Sequence, residues 1–368
     1  MAAATLVGRE RELAALRAAW AAVGDGLTRV VGVDGAPGTG KTALVRHFVA
    51  SAAAPAVAWV SGDEDEAALP WGVLGQLARA LPGSRLGDVP AGAEPLFVAQ
   101  ALAADLQQRP GLILVVDDAH WADPPSLAAL RLAARRLFAD PLLLVVVHQT
   151  VGRSVHSGLT RSLDEGWRRL FDSDRGVSVR VDGLDAADLV PLAAAYGHPG
   201  LSPTGAARLH EHTGGHPLHV RHVLDQVPMH AIVFGQGPLP APREDADAVA
   251  ADLAACRPAG RALLDVGAVL GQRFRLADAA SLVDDAGLLD NAGLFDDAGL
   301  FDDRGVGAGD VVDDARLVAE VPGSAGAELA FTSSLVRGVV YHALPRARRR
   351  DLHRRAARLG RPDALWHR

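Results

Sequence analysis

Five short apolar runs punctuate the first half of the chain: RVVGVD (29–34), AVAWVSG (56–62), LILVVD (112–117), PLLLVVV (141–147) and GVSVRV (176–181). They are short, apolar and rich in β-favouring residues, so they read as strands. Between them, residues 41–51, 71–81, 95–108 and 126–138 carry helical periodicity, with proline, glycine or aspartate at several starts. Strands alternating with helices in this way predict a parallel sheet covered on both sides, an α/β architecture.

From Leu184 onward the β signal stops. Helices are predicted over 186–196, 203–212 and 217–227, forming a small helical lid. FGQGPLPAPRED (234–245) has the proline and glycine content of a linker. Helices over 246–256, 258–270 and 276–283 follow, and the chain ends on two more, 335–342 and the basic PRARRRDLHRRAARLGR. The expected organisation is a core over 1–183, a lid over 184–233, a linker over 234–245, and a last domain over 246–368.

At 368 residues the chain exceeds what one hydrophobic core organises, which agrees with this division. A net charge of −7 argues against a surface built to bind nucleic acid throughout. Cys256 is the sole cysteine, which excludes a disulfide framework and a cysteine-based zinc site and fits a reducing, cytoplasmic setting. The sequence contains no apolar run long enough to span a membrane. Among 37 lysines and arginines, Lys41 is the only lysine. It stands where a compact point charge must slide between phosphates and a planar guanidinium would be too broad.

That lysine belongs to GAPGTGKT, formed by Gly35, Ala36, Pro37, Gly38, Thr39, Gly40, Lys41 and Thr42, directly after a strand and directly before a helix. The glycines let backbone N–H groups turn inward around phosphates, and the helix start adds its positive dipole. Lys41 is expected to bridge the β and γ phosphates of ATP, and Thr42 to offer its hydroxyl to Mg²⁺. The strand 112–117 ends on paired carboxylates. Asp117 is expected to hold Mg²⁺, and Asp118 to orient or deprotonate the attacking water as the catalytic residue.

Two further features tempt a metal assignment. DDAGLL, DNAGLF and DDAGLF repeat in tandem from Asp284 to Phe301, an aspartate-rich insertion over 284–303, but neither the EF-hand spacing nor a glycine-rich calcium repeat is present. A solvated loop is the expectation. His210, His212, His216, His219 and His222 cluster before and within one predicted helix, yet the H-E-x-x-H spacing is not met and no cysteine or carboxylate completes a site.

Taken in order, LVGRERELAAL (6–16), GAPGTGKT, VVDDAHWAD (115–123), TGGHP (213–217) and FTSSLVRGVVYHALPRARRRDLH (331–353) resemble the AAA+-related ATPase core of the STAND class. More closely, the chain, read as a P-loop NTPase with a parallel sheet, resembles the large ATP-binding LuxR-type transcription regulators of high-GC bacteria. That resemblance implies that Val7, Gly8 and Arg9 pack around the adenine and that Pro217 also meets the base. It further implies that residues 246–359 form a winged-helix-like domain locking ADP in the resting state. ATP exchange would then open the protein toward a protein partner or self-association.

Three departures stand against the pattern. Gln149 occupies the place of an arginine that senses the γ-phosphate, with Arg153 the nearest substitute, and Ser333 replaces a histidine while Phe331, Leu335 and Arg337 remain. The chain also stops at Arg368 without a DNA-binding helix-turn-helix. The expectation is therefore a nucleotide-sensing switch, at most a slow Mg²⁺-dependent ATPase, with no sequence-specific DNA binding of its own. A cycling AAA+ ATPase of the origin-recognition or loader type, and an ATP-binding scaffold without turnover, are the alternatives.

Overall fold

Each of the five apolar runs forms a strand: β1 (Thr28–Gly35), β2 (Ala56–Ser61), β3 (Leu112–Asp117), β4 (Leu142–Gln149) and β5 (Gly176–Arg180). The computed structural model describes residues 6–84, 86, 89–149, 163–235, 237–241, 243–256, 258–284, 317–324 and 328–359. The strands form one sheet in the order β2-β3-β4-β1-β5, every neighbouring pair parallel. The strand carrying the phosphate loop is thus separated from the carboxylate strand by β4.

The nearly continuous apolar sequence of β3 and β4 has its cause in two covered faces. Leu112, Leu114 and Val116 of β3 point into one core, and Ile113 and Val115 into the other. The second core is closed by α1 (Glu10–Gly24) and α2 (Lys41–Ser51), through Leu13, Leu16, Leu44 and Phe48. The first is closed by α3 (Gly72–Ala80), α4 (Pro95–Gln107), α5 (Pro124–Arg136) and α6 (Glu165–Phe171), through Leu74, Leu102, Leu130 and Trp167. Each such fully buried side chain contributes about 1.5–3 kcal/mol. These elements belong to a compact unit, Met1–Gly183.

Two helix starts differ from expectation, and one residue explains both. Asp123 caps α5 by accepting from Ser126 N at 2.9 Å, so the helix begins at Pro124, where a missing N–H costs nothing. The same carboxylate accepts from Trp71 N and Val73 N, at 2.9 and 3.0 Å. Trp71 is thereby held in a left-handed conformation (φ 66°) outside α3, which starts at Gly72. The short α6 lies outside the helices that the sequence predicts.

The second compact unit, Leu184–Arg368, contains two hydrophobic clusters. Around the first stand α7 (Leu189–Ala195), α8 (Pro203–Thr213), α9 (Pro217–Gln226) and α10 (Met229–Phe234), joined on Leu189, Leu209, Val220 and Ile232. The TGG turn between α8 and α9 places Gly214 at φ 61° and Gly215 at φ 72°, and a β-carbon on Gly215 would lie 1.9 Å from Leu184 O. Around the second cluster stand α11 (Arg243–Ala255), α12 (Pro258–Leu270), α13 (Leu276–Asp284), α14 (Ser334–Ala343) and α15 (Arg346–Ala356). Because α10 includes Phe234 and α11 starts at Arg243, both helices reach into the expected linker.

Short strands do follow Leu184, where the sequence carries no β signal. β6 (Arg273–Arg275), β7 (Val318–Glu320) and β8 (Glu328–Phe331) form an antiparallel sheet in the order β6-β8-β7. Runs of three or four residues are too short to register as period-two alternation. The repeats, apart from Asp284, lie outside the described residues, as does Arg153. None of the described helices is long and apolar enough to cross a membrane.

Candidate nucleotide-binding site

The loop between β1 and α2 is shaped by glycine where side chains could not follow. Gly38 and Gly40 adopt φ 78° and 92°, left-handed values that only glycine holds without penalty. A β-carbon on Gly35 would lie 2.3 Å from Val181 O. Pro37 is exposed at the tip, and the Thr39 hydroxyl donates to Ala36 O at 3.0 Å. The Lys41 ammonium lies within this curve, donating to Gly35 O and Ala36 O at 2.9 Å each.

Across the sheet, the Thr42 hydroxyl donates to Asp117 Oδ1 at 3.0 Å, and the same oxygen accepts from Asp118 N at 3.1 Å. Asp118 follows in a left-handed conformation (φ 46°), its side chain 43% exposed. The tight corner is possible because residue 62 is glycine: a β-carbon there would meet Asp118 O at 2.4 Å and Ala122 N at 2.5 Å.

Burial and charge act against each other here. Burial pushes the Lys41 ammonium below its ordinary range, opposed by the carboxylates of Asp118, Asp117 and Asp34. Burial also pushes Asp117 up, with Asp118 adding to the rise. The Thr42 hydroxyl, the Asp118 N–H and Arg46 pull the other way. Bound phosphates and a divalent cation would favour the charged form of each group.

The residues present fit Mg²⁺ and a nucleoside triphosphate. Left-handed glycines, one buried ammonium and a helix start supply a phosphate cradle, and a hydroxyl in contact with a carboxylate supplies the hard oxygen donors Mg²⁺ takes. Thr42 and Asp117 would hold the metal. Asp118 stands next to them with its carboxylate toward solvent.

Arg9 is buried at 5% exposure and works as a brace. Its guanidinium donates to Thr39 O at 3.1 Å, to Asp182 O at 2.5 Å and to Glu12 at 2.8 Å. It therefore joins the back of the phosphate loop to the segment after β5. Gly8, at φ 64°, and Val7 lead into α1 beside it. Pro217 opens α9 in the other unit. Gln149 ends β4 in register with Gly35, and His148, stacked on Phe171, is in register with Asp34. Ser333 caps α14 through Val336 N, and Arg337 donates to Ala268 O at 3.0 Å. Among the described residues no cluster of three or more histidine, cysteine or acidic side chains is placed to hold a metal.

Sequence reasoning missed three contributors. Asp123 belongs to the VVDDAHWAD motif, but the sequence alone assigns it no role. Gln76 clamps the end of β2 by accepting from Ser61 N and donating to Ser61 O, both at 3.0 Å. His120, in the same motif, is the third. The polar residues of VVDDAHWAD are the only signal that could have marked Asp123 and His120, since their burial depends on tertiary contacts.

Residues 5–146 match the AAA ATPase domain family. The match covers less than half of the chain and falls within the first unit. No curated protein matches. Among solved structures, the chain is similar to Cdc6p from Pyrobaculum aerophilum at 15% identity and TM-score 0.43, covering 92% of this chain and 95% of that one. It is similar to the Aeropyrum pernix ORC1 protein in complex with DNA at 17% identity and TM-score 0.42, covering 92% and 94%. It is also similar to the Drosophila ORC bound to DNA at 14% identity and TM-score 0.42, covering 91% and 87%.

Proposed function

We propose that the chain binds ATP with Mg²⁺ and hydrolyses it slowly, with nucleotide state as the signal it transmits. The observation that carries this reading is the Lys41 ammonium inside the glycine loop, beside a Thr42–Asp117 hydrogen bond. Lys41 and the loop N–H groups would bind the β and γ phosphates, and Thr42 and Asp117 would hold Mg²⁺, which neutralises charge on the phosphates. Asp118 would accept a proton from the water that attacks the γ-phosphorus as the bond to ADP breaks.

The family match supports an AAA-type ATPase without separating a cycling enzyme from a switch. The STAND-type switch of LuxR-like regulators rests on the order of sequence motifs, with Gln149 and Ser333 as departures. The basic helix α15 buries Leu352 and Ala356, while Arg348 pairs with Asp265 and Arg355 with Asp351. A helix docked in this way supports the reading that the chain does not itself recognise a DNA sequence.

Burst size tests the proposal. A switch should hydrolyse about one ATP per chain and stall on bound ADP, and a cycling ATPase should continue at a steady rate. Millimolar ATP or ADP with Mg²⁺ should raise the melting temperature, and an assumed micromolar Kd gives about 4 kcal/mol of stabilisation. The absence of a shift with every nucleotide would reject the site.

A further inference from the structure

His120 lies on the single 3₁₀ turn, Ala119–Trp121, that follows Asp118. Its side chain is fully buried, yet among the described residues neither ring nitrogen has a hydrogen-bond partner. Nδ1 lies 4.0 Å from Asp118 Oδ1, just outside hydrogen-bond distance. The ring forms part of the wall of a cavity of about 160 Å³, with Leu127, Leu163 and Trp167 among the other lining residues.

An imidazole in such a place must have a cause. Burial pushes its pKa down to about 4, against the opposing pull of Asp118, so at neutral pH the ring is uncharged and keeps one N–H donor. A buried donor left unmade costs about 1–3 kcal/mol, whereas an apolar ring of similar shape would cost nothing. Packing alone therefore does not account for histidine here. The nearest charged acceptor is Asp118, which has room to turn because its carboxylate is partly exposed.

We propose that His120 is a positioning residue for Asp118: with nucleotide bound, its ring N–H donates to one carboxylate oxygen and leaves the other to orient the attacking water. The adjacent cavity gives the ring space to tilt, and the Asp118 carboxylate needs to move by only about 1 Å to close the 4.0 Å gap to hydrogen-bond length. The inference rests on the nucleotide-binding reading of the Lys41 loop and on the role of Asp118.

The test uses the full chain. His120→Phe keeps ring bulk and deletes the donor, and His120→Asn restores a donor near the position of Nδ1. Single-turnover hydrolysis should slow at least about tenfold in His120→Phe, with Mg·ATP affinity unchanged, and recover in part in His120→Asn. Adding His120→Phe to Asp118→Asn should cause no further loss, because one group acts through the other.

A second readout does not depend on turnover. With histidine labelled in ¹⁵N, a non-hydrolysable ATP analogue and Mg²⁺ should shift the His120 ring nitrogens in the parent and leave them in place in Asp118→Asn. If the analogue raises the melting temperature but the His120 resonances stay put, or if His120→Phe turns over like the parent, the His120 proposal fails alone. If the analogue causes no thermal shift, the nucleotide reading fails and this one falls with it.

Discussion

The Thr42 hydroxyl donates to Asp117 Oδ1 at 3.0 Å, tying the first turn of α2 to the end of β3 across the intervening β4. The two oxygen donors expected to hold Mg²⁺ are thus brought together by the fold before any ligand takes part. Asp117→Asn keeps the shape and removes the charge. Nucleotide affinity measured by calorimetry in Mg²⁺ should fall to the value in EDTA, whereas the parent should bind at least about tenfold more tightly with the metal. An undiminished Mg²⁺ effect in the variant would move the metal away from Asp117.

Lys41→Ala removes the only ammonium side chain in the chain from the curve of the loop. Charge-assisted hydrogen bonds to phosphate contribute about 1.5–3 kcal/mol each, so affinity should drop by roughly 100-fold or more. Far-ultraviolet circular dichroism should be unchanged, since the lysine spans no structural layer. Parental affinity in the variant would show that phosphates bind elsewhere.

Asp118→Asn should bind Mg·ATP like the parent and lose hydrolysis by about 100-fold or more, because a carboxamide cannot take the proton from water. Equal single-turnover rates in variant and parent would reduce Asp118 to a corner residue that shapes the turn after β3.

The sequence was most informative where structure is set locally. All five strands of the sheet could be read from short β-rich runs, and GAPGTGKT carries its turn and its chemistry in eight neighbouring residues. The rest depends on distant partners. The bracing role of Arg9 depends on Asp182, 173 residues away, whose backbone oxygen accepts from it. The three short strands of the second unit exist because β8 pairs with β6 and β7, and none has enough residues to show a period. Asp123 looks like a second-rank member of an acidic motif, although it caps two helices.

That double cap predicts a large stability effect at a residue with no assigned chemistry. Asp123 is 2% exposed and accepts from Trp71, Val73 and Ser126 N–H groups. Asp123→Ala would strand three buried donors at about 1–3 kcal/mol each, so urea unfolding should show a loss of at least about 3 kcal/mol. Asp123→Asn, which keeps two short polar arms, should lose less. A loss under about 1 kcal/mol in the alanine variant would mean that both helices are held by packing alone.

His212 makes the stability of the second unit dependent on pH. The residue is 6% exposed in α8, with Nε2 3.1 Å from Pro240 O. Burial lowers its pKa to about 4, the Pro240 carbonyl opposes the shift, and His342, Arg208 and His219 add to it. Below the ordinary value of 6.5 the unfolded chain takes up a proton that the folded ring refuses, so the unfolded state binds more protons. Stability from this group is therefore fully present above pH 6.5 and is lost as pH falls through about 4, amounting to roughly 3 kcal/mol. Other histidines, including His120 and His342, shift in the same direction, and comparison with His212→Asn isolates this one. Urea unfolding at pH 7.5 and 4.5 should show the parent losing about 2–3 kcal/mol more than the variant. Equal losses in the two proteins would mean that His212 is already charged in the folded state or solvated like the unfolded chain.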